Sequence, residues 1–233
     1  MKKEKKFNIW LDLDETLLSA KTTQEIDEWK KEAKTKGQKI PSNFKTFSMD
    51  NEYVIFERPG LQPFLDYLFF NFNVSVWTAG SQEYCLSIVD NIILKPDGWK
   101  LHGERVLKHV FWSYHCKESI RLCGKIKKLS LLSSHFGLDK EYNDKNTFII
   151  DDNTEVHEAN AKNVFVIKPF DVEDEDASSD LAFEKIIHTL NLLLVSNVLP
   201  NPKSKHVINV RRNKRQHSFS QRRSGLQRGP VIY

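Results

Sequence analysis

Two aspartates separated by one residue, Asp12 and Asp14, directly follow an apolar, β-prone run at residues 7–11. The run predicts a buried strand that carries both carboxylates to the carboxyl edge of a sheet. Side chains at positions i and i+2 leave a strand on the same face, so these carboxylates would raise each other's pKa unless a cation lay between them. A hard cation such as Mg²⁺ would relieve the repulsion and let a phosphate dianion approach a carboxylate nucleophile.

Other groups with chemical potential follow later in the chain. A second hydrophobic run ends in Asp151 and Asp152, and a third ends in Thr78. Lys127 and Lys128 form a basic pair between them. Taken singly, a threonine or an acid at a strand end is usually a helix cap, and a lysine pair is usually solvated. Phosphoryl transfer to a carboxylate needs a nucleophile, an acid, donors to the phosphate oxygens and a positive charge, and the set supplies each.

Predicted strands alternate with predicted helices through most of the chain. This alternation predicts an α/β fold with a doubly wound, mostly parallel sheet and right-handed crossovers. In such sheets ligands bind beyond the carboxyl ends of the strands, where the candidate residues lie. The predicted strands are residues 7–11, 52–57, 73–78, 146–150 and 164–167, with 106–114 as a strand or hairpin, and the predicted helices are residues 23–37, 61–70, 83–93, 127–136, 154–161 and 180–195.

The charge of the chain is unevenly distributed. Of the 35 Lys and Arg residues, nine lie in residues 203–233, which contain none of the 31 acidic residues, so residues 1–202 carry a net charge of −5. We therefore predict a folded domain at residues 1–200, with a polar insertion at about residues 20–50, and a basic, disordered tail at residues 201–233. The tail could direct nuclear import, contact nucleic acid or acidic proteins, or only solubilise the protein.

Cysteine usage and hydropathy bear on the compartment. Cys85, Cys116 and Cys123 have no Cys-x-x-Cys spacing and predict neither a zinc knuckle nor a disulfide framework. The acids Asp12 and Asp14 interrupt the first apolar run, so no signal peptide is predicted, and no apolar stretch has the length needed to cross a bilayer. We expect an intracellular protein, nuclear or cytoplasmic and not secreted, in a reducing compartment and without membrane contact.

The string Asp-Leu-Asp-Glu-Thr-Leu, which starts at Asp12, resembles motif I of the haloacid dehalogenase superfamily. Its Glu-Thr-Leu ending resembles the branch that contains the phosphatases of the RNA polymerase II C-terminal domain and their small relatives. Residues 76–80, residues 126–130 and the pair Asp151-Asp152 resemble motifs II, III and IV. The resemblance implies a Rossmann-like fold without a large cap domain and with a small insertion between motifs II and III.

By this resemblance, the acids form a magnesium site that includes the nucleophile. Asp12 attacks phosphorus to form an aspartyl-phosphate, and Asp14 protonates the leaving alkoxide and then activates water. The backbone carbonyl of Asp14 also binds the metal in the family. Asp152 is expected to coordinate Mg²⁺ directly, with Asp151 placed beside it. Thr16 is expected to hold the turn rather than to take part in the chemistry.

The resemblance also implies a set of phosphate-binding residues. Thr78 and nearby backbone N–H groups would donate to phosphate oxygens, and a lysine would neutralise the phosphate and the nucleophile. The doublet itself leaves open which lysine this is, and alignment to the family pattern Lys-Asp-Leu-Ser selects Lys127 over Lys128. Arg121 lies shortly before, where relatives use an arginine to contact phosphate, although its spacing differs from theirs.

The expected substrate is phosphoserine or phosphothreonine in a protein, with the RNA polymerase II C-terminal domain as the candidate partner. Two alternatives are open. One is a non-catalytic binding module on the same fold, similar to the mitochondrial import translocase subunit that shares it. The other is a phosphatase acting on nucleic-acid ends, which the basic tail suggests. The sequence predicts no oligomeric state.

Overall fold

A computed structural model describes residues 7–38, 40–41, 43–50, 52–95, 105–138 and 142–196. The strands are β1 (Asn8–Leu11), β2 (Leu18–Thr22), β3 (Thr46–Met49), β4 (Tyr53–Glu57), β5 (Asn73–Trp77), β6 (Leu107–Phe111), β7 (Thr147–Asp151) and β8 (Val164–Val166). The helices are α1 (Thr23–Lys36), α2 (Leu61–Asn71), α3 (Gln82–Ile88), α4 (Ser113–Cys123), α5 (Leu131–Ser134), α6 (Thr154–Ala159) and α7 (Ala182–Ser196). A π-helical turn, Val89–Ile93, extends α3, and a 3₁₀ turn, Ala177–Ser179, precedes α7.

The larger sheet has five parallel strands in the order β6-β5-β1-β7-β8. The central strand is β1, in which Leu11 pairs with Val76 of β5 and with Ile150 of β7. This register aligns the carboxyl ends of the three strands that the predicted acids and Thr78 follow. The predicted α/β fold with a mostly parallel sheet is therefore confirmed.

Hydrophobic cores cover both faces of this sheet. Ile9 and Leu11 face a core that includes residues of α2, α3 and α7, whereas Trp10 faces a smaller core with residues of α4, α5 and α6. Alternate side chains of β1 point to opposite faces and all are buried, so Ile9, Trp10 and Leu11 form a continuous apolar run after the buried Asn8. Burying each such side chain contributes about 1.5–3 kcal/mol relative to leaving it in water.

A smaller antiparallel sheet, in the order β2-β4-β3, follows the first acidic segment. Of its strands, only the middle one, β4, was predicted from the sequence pattern, and residues 20–50 were predicted to be a polar insertion. The helix inside that insertion, α1, is confirmed: Thr22 and Glu25 form a capping box at its start, and Gly37 ends it with φ of 65°. The domain limits stay a prediction, and the tail at residues 201–233 lies outside the described residues.

The predicted helix at residues 127–136 is wrong. Only Leu131–Ser134 are helical, and Lys127 has a φ of 48°, in the left-handed region that an α-helix excludes. Hydrogen bonds with the side chains of Ser119 in α4 and Asn160 after α6 hold the backbone of this segment. Two other predictions need adjustment, because the helix at 83–93 ends in a π-helical turn and α4 begins at Ser113, within the predicted strand or hairpin at 106–114.

Among the described residues, no helix combines the length and the hydropathy that a bilayer crossing requires.

Candidate active site

Three carboxylates meet at the carboxyl edge of the parallel sheet. Asp12 follows β1. Asp151 is the last residue of the neighbouring strand β7, and Asp152 follows it. One carboxylate oxygen of each of the three residues lies within 4.8 Å of the others. The hydrogen bond from Asp12 N to Ile150 O, at 3.1 Å, continues the strand pairing and sets the two strand ends side by side. Asp12 and Asp151 are buried and Asp152 is half-buried. The structure thus brings together three of the four acids predicted to hold a metal.

Lys127 lies between two of these carboxylates. Its ammonium is 2.5 Å from Asp12 Oδ1 and 2.9 Å from Asp151 Oδ2, and the residue is only 2 % exposed. Burial alone would lower the pKa of Lys127, but the two carboxylates outweigh burial and raise that pKa above its usual range. Lys128 points elsewhere, and its ammonium donates to the carbonyl of Ala159. Of the doublet, the structure places Lys127 at the acids.

The acidic cluster carries more negative than positive charge. Burial raises the pKa of Asp12, with Lys127 opposing the shift and Asp151 adding to it. Burial also raises the pKa of Asp152, although a hydrogen bond from Thr16 opposes this. One ammonium cannot neutralise three carboxylates, so the cluster favours a further cation. Its ligand atoms are all oxygens, which is the donor set that Mg²⁺ prefers.

Thr16 contacts the cluster as well as the turn after β1. Its Oγ1 lies 2.9 Å from Asp152 Oδ1 and 3.4 Å from Asp12 Oδ2, and the residue is fully buried. The sequence analysis assigned Thr16 only to the turn. The structure shows that its hydroxyl also donates to Asp152, with Asp12 Oδ2 a longer second acceptor, and so lies between the two strand ends.

The left-handed turn at Lys127 is held by two buried residues that the sequence analysis did not identify. Asn160 donates from Nδ2 to the Lys127 carbonyl at 2.9 Å and accepts from Leu129 N at 2.9 Å. Ser119 of α4 accepts from Lys128 N at 3.0 Å. Asn160 thus takes the Lys127 carbonyl that a helix would pair with its next turn, and the positive φ of Lys127 removes that residue from helical geometry, so the predicted helix does not begin here. No local pattern marks either residue, because the fold alone brings Asn160 next to Lys127 and turns Ser119 of α4 toward Lys128 N.

Asp14 faces a different group of side chains. Thr78, fully buried after β5, lies with Oγ1 3.5 Å from Asp14 Oδ2 and accepts a hydrogen bond from Gly80 N at 3.0 Å. The hydroxyl of Tyr84 donates to Asp14 Oδ1. Burial, followed by the charge of Asp14, raises the pKa of Tyr84 above its usual range. The carboxylate of Asp14 therefore stands beside Thr78, outside the three-carboxylate cluster, and the predicted metal contact of Asp14 concerns only its backbone carbonyl.

Arg121 is the predicted residue that the structure leaves apart. Its side chain is 63 % exposed and its guanidinium pairs with Glu118 of the same helix at 2.7 Å. Within the described part of the chain, it makes no contact with Asp12, Thr78 or Lys127. Its role in phosphate binding stays a prediction that this geometry does not support.

Arg58 holds the turn after β1 through a hydrogen bond to its backbone. Its Nη1 donates to the Thr16 carbonyl at 3.0 Å, and its Nε and Nη2 form a bidentate pair with Asp180 at 2.9 and 2.8 Å. The side chain of Arg58 is fully buried and that of Asp180 is 10 % exposed. Although burial alone would raise the pKa of Asp180, hydrogen bonds from Arg58 and from Ala182 N hold that pKa below its usual range. Arg58 was not among the site residues predicted from the sequence.

Comparison with known proteins places this chain among phosphatases. The CTD phosphatase-like protein 355R of Invertebrate iridescent virus 6 is 40% identical over 187 residues, which cover 79% of this chain and 97% of that protein. Its counterpart in Invertebrate iridescent virus 3 is 34% identical over 191 residues, 82% of this chain and 98% of that protein. The fission yeast RNA polymerase II CTD phosphatase Fcp1, solved with beryllium fluoride bound, aligns with a TM-score of 0.46 and 18% identity, over 83% of this chain and 53% of that one.

Residues 7–198 match the family described as NLI interacting factor-like phosphatases. The matched range begins at the strand before Asp12 and extends past the last described residue of α7. It includes every residue predicted to act in the site. The chain therefore belongs to the NLI interacting factor-like phosphatase family.

Proposed function

We propose that the protein is a Mg²⁺-dependent phosphatase that hydrolyses phosphoserine or phosphothreonine in proteins through an aspartyl-phosphate on Asp12. Family membership supports phosphoric monoester hydrolysis as the reaction class. The observation that carries the proposal is the cluster of three carboxylates at the carboxyl ends of two adjacent strands, two of which contact one buried lysine. A purely structural ion pair would need one acid for one lysine, and here two further acids remain.

The metal would be held by the carboxylates of Asp12 and Asp152, with Asp151 beside them and the backbone carbonyl of Asp14 as a further ligand. When bound, Mg²⁺ would neutralise the acids and the phosphate so that two anions can meet. The all-oxygen donor set and the excess of negative charge in this protein fit such an ion. The hydroxyl of Thr16 lies between Asp152 Oδ1 at 2.9 Å and Asp12 Oδ2 at 3.4 Å, which keeps these two carboxylates close to each other.

The side chains around this site have complementary roles in the proposed reaction. Asp12 attacks phosphorus. Lys127, which contacts Asp12, stabilises the negative charge on the phosphate oxygens while the phosphoryl group is transferred to the Asp12 carboxylate. Asp14 protonates the leaving alkoxide and then takes a proton from the water that hydrolyses the intermediate. Thr78 Oγ1 accepts from Gly80 N at 3.0 Å and faces Asp14 Oδ2 at 3.5 Å, so its hydroxyl would have to turn from Asp14 to donate to a phosphate oxygen of a bound substrate.

A phosphoprotein substrate is supported by the relatives, which are described as CTD phosphatase-like proteins. The RNA polymerase II C-terminal domain is accordingly the first partner to test. The experiment compares kcat/KM for phosphoserine and phosphothreonine peptides, including peptides of that domain, with kcat/KM for small phosphorylated metabolites. We expect the peptides to be preferred. Strong turnover of the metabolites with no activity on any peptide would overturn the proposed substrate class.

Two alternatives are tested by the same panel. A non-catalytic binding module is disfavoured because Asp12 and Asp14 are both present and differently partnered. A phosphatase for nucleic-acid ends is suggested only by the basic tail, and 3′-phosphorylated oligonucleotides added to the panel would reveal it.

The proposal extends to domain limits and location. We take residues 1–200 as the phosphatase domain and residues 201–233 as a basic tail that contacts acidic proteins or nucleic acid. The expected location is a reducing compartment, nuclear or cytoplasmic, because the spacing of the three cysteines indicates no disulfide framework. Fluorescence imaging of the whole chain and of a chain ending at residue 200 would test the location, since a nuclear import role of the tail predicts that only the whole chain concentrates in the nucleus.

A further inference from the structure

The hydroxyl of Tyr84 contacts the carboxylate that the proposed reaction uses as its acid. Tyr84 donates to Asp14 Oδ1, whereas Asp14 Oδ2 faces the hydroxyl of Thr78 at 3.5 Å. We infer that Tyr84 is a positioning residue that fixes the carboxyl group of Asp14, so that its proton is carried on Oδ2 and directed to the leaving oxygen. This inference rests on the proposed function and adds a residue that its mechanism does not otherwise use.

The ring of Tyr84 is held in place from several sides. Ser81 caps α3 by accepting from Tyr84 N at 3.2 Å, which fixes the backbone one turn from the end of motif II. The ring of Tyr53, from β4 of the smaller sheet, packs edge-on against it with centroids 6.5 Å apart. The hydroxyl therefore reaches Asp14 from a preset position, and forming the hydrogen bond orders little that is not already ordered.

Gly80 provides the space that this arrangement needs. A Cβ built on Gly80 would lie 2.7 Å from Tyr84 Cδ1 and 3.3 Å from Thr78 Oγ1. The first distance is shorter than real Cβ contacts allow, so any other residue at position 80 would displace the ring. The glycine after Thr78-Ala79 thus serves Tyr84 as well as the turn.

The hydrogen bond has a defined part in the proton transfer. As Asp12 forms its bond to phosphorus, the bond from phosphorus to the leaving oxygen breaks, and the proton of Asp14 Oδ2 passes to that oxygen. Tyr84 keeps its own proton throughout, and its hydroxyl stays hydrogen-bonded to Asp14 Oδ1. Because a hydrogen bond to a carboxylate is stronger than one to the neutral acid, the bond strengthens as Asp14 becomes charged and so favours the transfer.

The test is the dependence of kcat/KM on the leaving group in Tyr84→Phe. An aryl phosphate with an acidic phenol needs little protonation as it leaves, whereas a phosphoserine peptide releases a basic alkoxide. General acids contribute about 100- to 10,000-fold to such steps, so losing the positioning of one should lower kcat/KM on the peptide about 10-fold or more and on the aryl ester about 2-fold or less. We use kcat/KM because it reports the first step, which precedes hydrolysis of the intermediate.

Two further variants separate the possible outcomes. Tyr67→Phe also removes one tyrosine hydrogen bond, to Asn191 at 2.8 Å between α2 and α7, and should behave like the unaltered protein on both substrates. Asp14→Asn should show the same leaving-group dependence as Tyr84→Phe, but more strongly. Suppose that Asp14→Asn shows the leaving-group dependence. The role of Tyr84 is then refuted if Tyr84→Phe shows no such dependence, or if Tyr84→Phe loses activity equally on the peptide and on the aryl ester. If Asp14→Asn itself shows no such dependence, the assignment of Asp14 in the proposed function fails, and the role of Tyr84 fails with it.

Discussion

Replacing Lys127 by methionine tests the arrangement at the centre of the site. The substitution keeps most of the side-chain volume and removes the ammonium that contacts Asp12 at 2.5 Å and Asp151 at 2.9 Å. Two acids, one of them fully buried, would then lose their common partner. We expect both a loss of stability in the metal-free protein and a loss of phosphatase activity.

The size of the stability loss follows from the burial of the pair. Removing one partner of a buried ion pair costs about 3–5 kcal/mol, because the remaining charge stays out of water. Proton uptake by Asp12, whose pKa burial already raises, keeps the loss within this range despite the second acid. For a domain with an m-value of about 2 kcal/mol per M, the urea midpoint should fall by roughly 2 M.

The assay is urea unfolding in EDTA, with Lys128→Met as the matched control. Lys128 is half-buried and its ammonium donates only to the Ala159 carbonyl, which water can serve instead, so its loss should cost about 1 kcal/mol. In a Lys127→Met protein, the additional change Asp151→Asn should restore part of the stability, because it removes one of the unpaired charges. Equal losses in the two methionine variants, or no recovery in the double variant, would refute this account of the cluster.

Three other predictions concern the surroundings of the site. Because Arg58 holds the pKa of Asp180 below its usual range, the stability that Asp180 contributes is complete above the unfolded value of 3.8 and is lost as pH falls through the lower folded value. Thermal unfolding from about pH 7 to 2 should therefore show Asp180→Asn to be less stable than the unaltered protein only at the higher pH, and a gap that persists in acid would contradict this. Asn160→Ala removes the hydrogen bonds that hold the Lys127 turn and should lower the unfolding free energy by about 2–3 kcal/mol in urea titrations and kcat by about 10-fold or more, whereas an unchanged kcat would show that the turn does not need them. Asp152→Ala should raise the Mg²⁺ concentration for half-maximal activity by more than about 10-fold in titrations after EDTA treatment, and an unaltered requirement would remove Asp152 from the metal site.

The parallel sheet and the acidic strand ends could be predicted because their signals are local. Strand β1 runs through Ile9, Trp10 and Leu11 directly to Asp12. Strand β7 likewise runs through three apolar residues, 148–150, to Asp151 and Asp152. A strand buried on both faces needs such a continuous run, and acids directly after it can only lie at the carboxyl edge. These rules need no knowledge of what the strands pair with.

The turn at Lys127 shows where local reasoning fails. The sequence there has a helical pattern, and the prediction followed it. Ser119 and Asn160 override that pattern by capturing the backbone of residues 127–129, at separations of up to 33 residues along the chain. Only the packing of α4 and α6 against the same face of the sheet brings these side chains together.

The strands β2 and β3 were missed for a related reason. Their residues are mostly half-buried or exposed, so they lack the apolar run that marked β1. What makes them strands is pairing with β4, which lies between them in the sheet although it follows both in the sequence. Tyr84 escaped prediction in the same way, since 70 residues separate it from the carboxylate it contacts.

The most direct test of the central claim is to capture the phosphoryl group on Asp12. The protein is mixed with a phosphoserine peptide and Mg²⁺, quenched within the first turnover, reduced with borohydride and digested for mass spectrometry. Borohydride reduces an acyl phosphate to the alcohol, so the account predicts homoserine at position 12 of the unaltered protein. The Asp12→Asn protein should give no homoserine and release no phosphate. Full hydrolysis by Asp12→Asn, or reduction at Asp14 in place of Asp12, would contradict the account.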